Sequence, residues 1–463
     1  MDVQHLVDQQ CGEWRVAYTS HKGRFEDPAV VPHALLYGPQ KTKPSAILLT
    51  TFDPFEAWFL RVCPQDVDLT VGIGFPDWNH KISKSVPSHF FGTRLENMRS
   101  CRRSVHARSS FCEQCMPITM LPRSPANAHL KPCRCGPQYK RTVNWVFPHL
   151  VGRQIMHAKL MLVQFDGFLR FVVSSFNFSA LQSLVAGDSF WFVDLRLKPG
   201  DADDNKDIEK GVEMPLLDLL EQLDVATKWS DLVRRCDWQV LQKQHSHVHL
   251  LTTVPCDGPE LQMMYGMERL NTILGSMPPF PKGEGSPVHM QVWSLGAAND
   301  TWYHDFASTL TQQHLGPIVG WTHDHVYFII GPRSTNWKKI NDCRTEVQRV
   351  LWTDTRNPLL QKGLPSRPRP IRWGWHSKVM SRTYPAGFCT RKGCTRVHGW
   401  RYFGSHNCSR ACWGYPLANF EAGIIVTSFP AVPHAKSKDC GPDLDVVAPL
   451  PFTVSALQRV TDW

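Results

Sequence analysis

A chain of 463 residues that is 42% hydrophobic and 11% aromatic, with 17 Trp and 24 Phe, holds enough apolar material for a sizeable core. At about 150 residues per domain it has room for three domains or two large lobes. With only 30 Gly and 35 Pro it is neither collagen-like nor low-complexity, and a folded chain is expected. The net charge of +10 is unevenly spread: Arg94 to Arg141 holds ten basic and two acidic residues, and Gln361 to Arg410 holds eleven basic and none acidic. These windows carry +8 and +11, which leaves −9 for the rest of the chain. Aromatics adjoin or thread both, Trp145 and Phe147 at the first and Trp373, Trp375, Trp400, Tyr402 and Phe403 in the second. That pairing predicts a phosphate-backbone partner with stacking surfaces.

In chain order, Ser45–Thr51 reads as a short buried strand, and Phe52–Leu60 as a helix entered through Pro54. Asp68–Phe75 is a second strand. Residues 99–141, rich in Cys, Arg, Ser and Pro, read as a long excursion, either a loop or a small insertion. The acidic stretch Gly200–Met214 suits a surface connection, and Pro215–Leu223 has helical periodicity. His247–Val254 and His325–Ile330 read as strands. The alternation predicts an α/β architecture. No apolar run approaches the roughly 18 residues of a membrane span, and the N-terminus lacks the basic and apolar blocks of a secretory signal, so an intracellular protein is expected. In such a compartment most of the 15 Cys would be thiols or metal ligands.

The chain repeats itself at one pattern. His157-Ala-Lys159-Leu-Met161 is followed by Ser175-Phe-Asn177-Phe-Ser179, and 219 residues after His157 comes His376-Ser-Lys378-Val-Met380, followed by Ser405-His-Asn407-Cys-Ser409. A lone His-x-Lys arises by chance about once in a chain of this composition. Here it occurs four times, but the copies at His129 and His434 stand in Pro-rich surroundings without a returning Asn. In the first repeat, residues i and i+2 of a strand share a side, so His157 and Lys159 face one site. Asp166-Gly167 between apolar runs predicts a two-residue hairpin turn in which facing positions sum to 333. That register returns Asn177 to the neighbourhood of His157, provided the strand ends or bulges there. In the second repeat a longer excursion, Tyr384 to Gly399, separates the two segments.

The residue types suit one chemistry. A phosphodiester resists attack because it is an anion, and two Lys with two Asn supply cations and amide donors for its non-bridging oxygens. Two His, ordinarily titrating near 6.5, can divide the work of nucleophile and general acid.

At these residues the sequence resembles the phospholipase D superfamily, and within it the tyrosyl-DNA phosphodiesterases. The superfamily at large carries Asp seven residues after the His, where this chain has Gln164 and Thr383; Asn177 and Asn407 match the phosphodiesterase variant. Trp293-Ser-Leu-Gly296 with Trp302 and Phe306 is similar to that family's Gly-Ser-Leu-Gly region. Asn407-Cys-Ser-Arg-Ala-Cys-Trp-Gly414 and Phe420-Glu-Ala-Gly-Ile424 are similar to two further family segments, and the likeness spans roughly residues 35–430.

The resemblance implies an α/β fold of two similar lobes with pseudo-twofold symmetry, each a mixed sheet flanked by helices, with one active site between them. The corresponding division is an extension at 1–34, a first lobe at 35–214 and a second at 215–463. The implied activity is DNA repair by hydrolysis of the bond between a DNA 3′-phosphate and the tyrosine of a trapped type IB topoisomerase, by a monomeric nuclear enzyme with no membrane and no cofactor. By analogy His157 is the nucleophile and His376 the general acid and base. Lys159, Lys378, Asn177 and Asn407 hold the phosphate, with Ser179, Ser294 and Ser409 as helpers. Glu421 matches the acid that orients the nucleophile. The partner position in the first half, Gln in better-known members, is Asp188 here, and a carboxylate there would favour protonated His376.

Cys112-x-x-Cys115 with Cys133-x-Cys135 could ligate zinc, as could Cys389, Cys394 and His398 with a fourth ligand from elsewhere. Neither spacing is a standard knuckle, and unligated thiols are the simpler expectation. Two alternatives stand beside the main reading. One is a broader 3′-end-processing nuclease of the same superfamily. The other is a non-catalytic, zinc-organised nucleic-acid-binding protein, for which both His-x-Lys motifs would be dispensable.

Overall fold

The structure is a computed structural model that describes residues 13–18, 34–52, 63–64, 66–74, 105–112, 140–150, 154–178, 188–200, 210–241, 247–255, 264–281, 287–294, 300–312, 326–329, 351–353, 376–414, 418–432, 440–450 and 458–459. Among the described residues, sixteen strands form two sheets of eight. The first contains β1 (Trp14–Tyr18), β2 (Ala46–Thr51), β3 (Asp68–Ile73), β4 (Val105–Cys112), β5 (Lys140–Phe147), β6 (Leu160–Phe165), β7 (Phe168–Ser174) and β8 (Ser189–Arg196). The second contains β9 (His247–Thr253), β10 (Val288–Gln291), β11 (Val326–Ile329), β12 (Leu351–Thr353), β13 (Lys378–Thr383), β14 (Gly399–Gly404), β15 (Glu421–Ser428) and β16 (Gln458–Arg459).

The orders are β1-β8-β7-β6-β2-β3-β5-β4 and, read from the matching edge, β9-β15-β14-β13-β10-β11-β12-β16. Every neighbouring pair agrees in direction, including the parallel pairs β2–β3 and β3–β5 against β10–β11 and β11–β12. The repeated motif is therefore the visible part of a repeated sheet. Helices α1 (Glu213–Gln222), α2 (Thr227–Arg235), α3 (Gly266–Gly275) and α4 (Asp300–Thr311) pack on this framework. Among the described residues no helix is long and apolar enough to cross a membrane.

The central strands are apolar on both faces because both are covered, and their period-two alternation feeds two cores. In β6, Leu160 and Leu162 enter a cluster shared by the two sheets, while Met161, Val163 and Phe165 enter one on the outer face of the first sheet. In β15, Ala422, Ile424 and Val426 join the shared cluster and Ile425 a third, on the outer face of the second sheet. The two sheets thus face each other across one core, with their strand ends meeting at its rim.

The hairpin register is Leu160↔Val173 through Phe165↔Phe168, so facing positions sum to 333 as expected. Gly167 makes the turn possible, since its φ of 80° lies in the left-handed region that a side chain disfavours. The expected helix at Phe52–Leu60 lies, after Phe52, outside the described residues. The 99–141 excursion contains strand, since Val105–Cys112 and the start of β5 pair at the sheet edge, and 99–104 and 113–139 lie outside the described residues. β1, ahead of residue 35, pairs antiparallel with β8 and closes the other edge.

The stacking surface expected from the basic windows needs correction. Trp145, Phe147, Trp400, Tyr402 and Phe403 are all buried on strands, because the alternation that makes them strand residues points them into the two outer cores and the shared one. Trp373 and Trp375 lie outside the described residues. Part of the second window's charge is also internal: Lys378, Arg382 and Arg401 are buried.

Candidate active site

His157 and Lys159 do not sit within a ladder. They occupy the extended approach to β6, as His376 and Ser377 do before β13, whose first residue is Lys378. The approach of the first half is held by the second: Phe420 N donates to Ile155 O at 2.9 Å, and His157 N to Phe420 O at 2.8 Å. Ile155 N also donates to Asn419 Oδ1 at 3.2 Å.

Each histidine is fixed by a carboxylate from the opposite half. His157 Nδ1 is 2.7 Å from Glu421 Oε2, at the head of β15, and His376 Nδ1 is 2.9 Å from Asp188 Oδ1, immediately before β8. β8 and β15 are equivalent strands, so the arrangement is reciprocal. Each carboxylate is held in turn by the first Ser of the returning motif: Ser175 Oγ donates to Asp188 Oδ1 at 2.7 Å, and Ser405 Oγ donates to Glu421 Oε2. The next amide fixes each hydroxyl, Ser189 N on Ser175 Oγ and Ala422 N on Ser405 Oγ, both at 3.0 Å. An aromatic edge meets each imidazole, Phe52 at His157 (5.2 Å) and Trp293 at His376 (5.5 Å between centroids).

Ser175 and Ser405 were not among the expected site residues, although the repeated S-x-N-x-S pattern already contained them. Ser179 lies outside the described residues. Ser294 acts through its backbone, its N–H donating to Asn407 Oδ1 (3.0 Å) and its carbonyl accepting from Cys408 N (3.2 Å). Ser409 Oγ donates to Cys412 Sγ at 3.1 Å, in the turn that follows Asn407. The first-half strand ends at Ser174, and Phe178 adopts a φ of 56°, so the chain leaves the ladder before Asn177. That break is what the expected return of Asn177 required.

The two halves share one electrostatic environment. His157 is lowered to about 4, chiefly by burial, against Glu421 which raises it, and with Lys159 and Lys378 both lowering it. His376 is lowered to about 3 by burial and then Lys378, with Asp188 opposing and Lys159 adding. Asp188 raises His376, as expected of a carboxylate there, but in the free protein burial and the Lys378 charge outweigh it. Lys378 Nζ sits 2.9 Å from His376 Nε2, and burial followed by the Lys159 charge holds it well below its ordinary range. Lys159 Nζ donates to His157 O at 2.7 Å. Glu421 would be raised by burial, but His157, His406 and Lys159 pull it down to about 2. Both lysines are fully buried, whereas His157, His376, Asn177 and Asn407 each keep 7–9% of their surface exposed. Two buried lysines beside imidazole and amide groups that keep a little exposure are a set chemically suited to an anion.

Next to this set lies a third buried imidazole, His406. Thr253 Oγ1 donates to Cys412 O (2.9 Å), so it accepts from His406 Nε2–H (3.0 Å), which leaves Nδ1 to accept from Tyr402 O–H at 2.5 Å. Tyr402 fits only because Gly423 lacks a side chain: a Cβ there would lie 2.1 Å from the Tyr402 ring.

A family model described as "Tyrosyl-DNA phosphodiesterase" matches residues 113–458. The chain belongs to the tyrosyl-DNA phosphodiesterase family. As a member of that family it is a phosphodiesterase hydrolase of DNA repair that binds DNA as substrate. The crystal structure of the yeast tyrosyl-DNA phosphodiesterase matches with a TM-score of 0.56 at 13% identity, covering 89% of this chain and 90% of the yeast chain. A histidine-to-asparagine variant of the yeast phosphodiesterase gives a TM-score of 0.56 at 13% identity over 92% and 90% of the two chains. No curated protein sequence matches the chain. At such low identity the structural likeness establishes the two-lobed phosphodiesterase fold, which agrees with the duplicated sheets.

The buried histidines of this phosphodiesterase also set its acid stability. His157, His289 and His406 are lowered to about 4, and His249 and His376 to about 3, in each case first by burial. Between their ordinary 6.5 and these values the unfolded chain binds protons that the folded chain refuses. Stability is thus complete above about pH 6.5 and falls toward pH 4, by about 1.4 kcal/mol per pH unit for each such histidine. The urea midpoint should be clearly lower at pH 5.5 than at 7.5; equal midpoints would contradict the burial argument.

Proposed function

We propose that the enzyme hydrolyses the 3′-phosphotyrosyl bond left on DNA by a trapped type IB topoisomerase, through a covalent phosphohistidine on His157. The observation that carries this reading is the reciprocal anchoring of two imidazoles by Nδ1 on opposite-half carboxylates, which turns each Nε2 away from its carboxylate, that of His376 toward Lys378 Nζ at 2.9 Å. His157 is neutral at pH 7, as a nucleophile must be, and Glu421 stabilises the positive charge that develops when its Nε2 bonds to phosphorus. Lys159, Lys378, Asn177 and Asn407 take the non-bridging oxygens.

His376 gives its proton to the departing tyrosine phenolate, then takes one from the water that breaks the phosphorus–nitrogen bond. Its low value in the free protein is compatible with this role, because the bound phosphate adds negative charge beside Asp188 and Lys378 and so raises it. One chain supplies both halves of the site, so a monomer suffices, and a DNA substrate supports the nuclear location that the resemblance implies.

The test is incubation of the purified protein, in the presence of EDTA, with an oligonucleotide bearing a 3′-phosphotyrosine. Release of free tyrosine with a 3′-phosphorylated strand is expected. Degradation of an unmodified 3′-hydroxyl strand at the same rate would favour the nuclease alternative instead.

A further inference from the structure

At the far end of the β13–β14 hairpin from the catalytic residues, the excursion between the strands meets the segment after β15. Residues 385–397 contain no buried side chain, so this long connection has no apolar core of its own. Four sulfur or imidazole ligand atoms nevertheless converge there, from Cys389, Cys394, His398 and Cys440, all within 4.8 Å of one another. Cys394 Sγ lies 3.7 Å from Cys440 Sγ and 3.5 Å from His398 Nε2. Around a tetrahedral ion with bonds of about 2.3 Å to sulfur and about 2.0 Å to nitrogen, ligand atoms stand roughly 3.5–3.8 Å apart, so both separations already suit one.

The histidine's tautomer agrees. Ser428 Oγ donates to Pro442 O at 2.5 Å, so it accepts from His398 Nδ1–H at 2.9 Å. That leaves the Nε2 lone pair facing the sulfurs, as a ligand set by an outer hydrogen bond requires. The frame is built independently of the sulfurs: Thr390 N donates to Ala431 O (2.8 Å), Leu444 N to Val397 O (3.0 Å) and Gly441 N to Phe429 O (2.8 Å). Arg391 and Arg396 each place Nη1 3.8 Å from Cys440 Sγ, where two cations would balance the net negative charge of three thiolates on a divalent ion.

We propose that Cys389, Cys394, His398 and Cys440 bind one structural zinc ion that clips the β13–β14 excursion to the segment following β15. Three thiolates and an imidazole in a closed tetrahedral set select zinc over harder cations. β13 runs from Lys378 at the active site to Thr383 beside the cluster, about 17 Å at strand rise, so the ion acts by holding the hairpin that carries Lys378 and leads to Asn407.

Metal analysis of the full-length protein, purified without chelator, should find one zinc per chain, released in full by a mercurial thiol reagent. Cys440→Ser should lower zinc content at least about tenfold, whereas Cys63→Ser, at a buried thiol outside the cluster, should not change it. Since Cys440→Ser could fail to fold, wild-type protein produced in cobalt supplies the second reading. It should show the intense visible bands and thiolate charge-transfer absorption of a tetrahedral cobalt site. Protein without stoichiometric metal, a Cys394–Cys440 disulfide, or full zinc retention in Cys440→Ser would each overturn the proposal. Phosphodiester cleavage that survives brief EDTA treatment leaves it intact, because the ion is not in the reaction.

Discussion

Replacing His157 by Ala should reduce tyrosine release from a 3′-phosphotyrosyl oligonucleotide by roughly 10⁴–10⁶-fold, the scale on which removal of a catalytic nucleophile acts. No neighbouring group can substitute. His376 is held on Asp188 at 2.9 Å, and His406 is locked between Thr253 and Tyr402. His376→Asn should behave differently in kind. It leaves the nucleophile in place but removes the base that activates water, so a protein–DNA adduct should accumulate, stable to denaturation and seen as a band of raised mass. The pair of variants separates the two roles. If His376→Asn lost activity without any adduct and His157→Ala retained full turnover, the assignment of nucleophile and acid would be wrong.

The largest expected loss of stability lies away from the chemistry, at Arg170 in the middle of β7. Its side chain is fully buried and makes a two-pronged ion pair with Asp194 of β8, Nε to Oδ1 at 2.7 Å and Nη2 to Oδ2 at 2.8 Å. Nη1 reaches the carbonyls of Ala34, Leu35 and Tyr37 at 3.2, 3.1 and 2.7 Å, tying that segment to the sheet. Arg170→Met would leave a buried carboxylate and three carbonyls without their donor. A loss of about 3–5 kcal/mol is expected, the usual cost of stranding one partner of a buried pair. Arg170→Met combined with Asp194→Leu should recover part of that loss, because the stranded charge is gone. Denaturant unfolding of the single and double variants measures it, and strictly additive effects would count against a coupled pair.

Much of this site was legible in order along the chain. The doubled His-x-Lys and the returning Asn named the sextet, and the Asp166-Gly167 turn set a register that the structure reproduces. Both depend on interactions a few residues long, where strand alternation and a positive φ at one glycine leave little freedom. The basic window misled where its aromatics were read as a stacking surface: Trp400, Tyr402 and Arg401 stand in it yet are buried. A run of charge does not say which face of a strand meets solvent.

By itself, the sequence determined that two equivalent units exist, which residues are the candidates for the chemistry in each, and where the first hairpin turns. Only the tertiary structure decided how the units serve each other. His157 takes its carboxylate from 264 residues away and His376 from 188, and Cys440 is brought beside Cys394 in the cluster proposed to hold zinc. Those pairings arise because two eight-stranded sheets pack face to face on a shared core. Packing of that kind is decided by buried surface summed over the whole chain, and no local spacing records it.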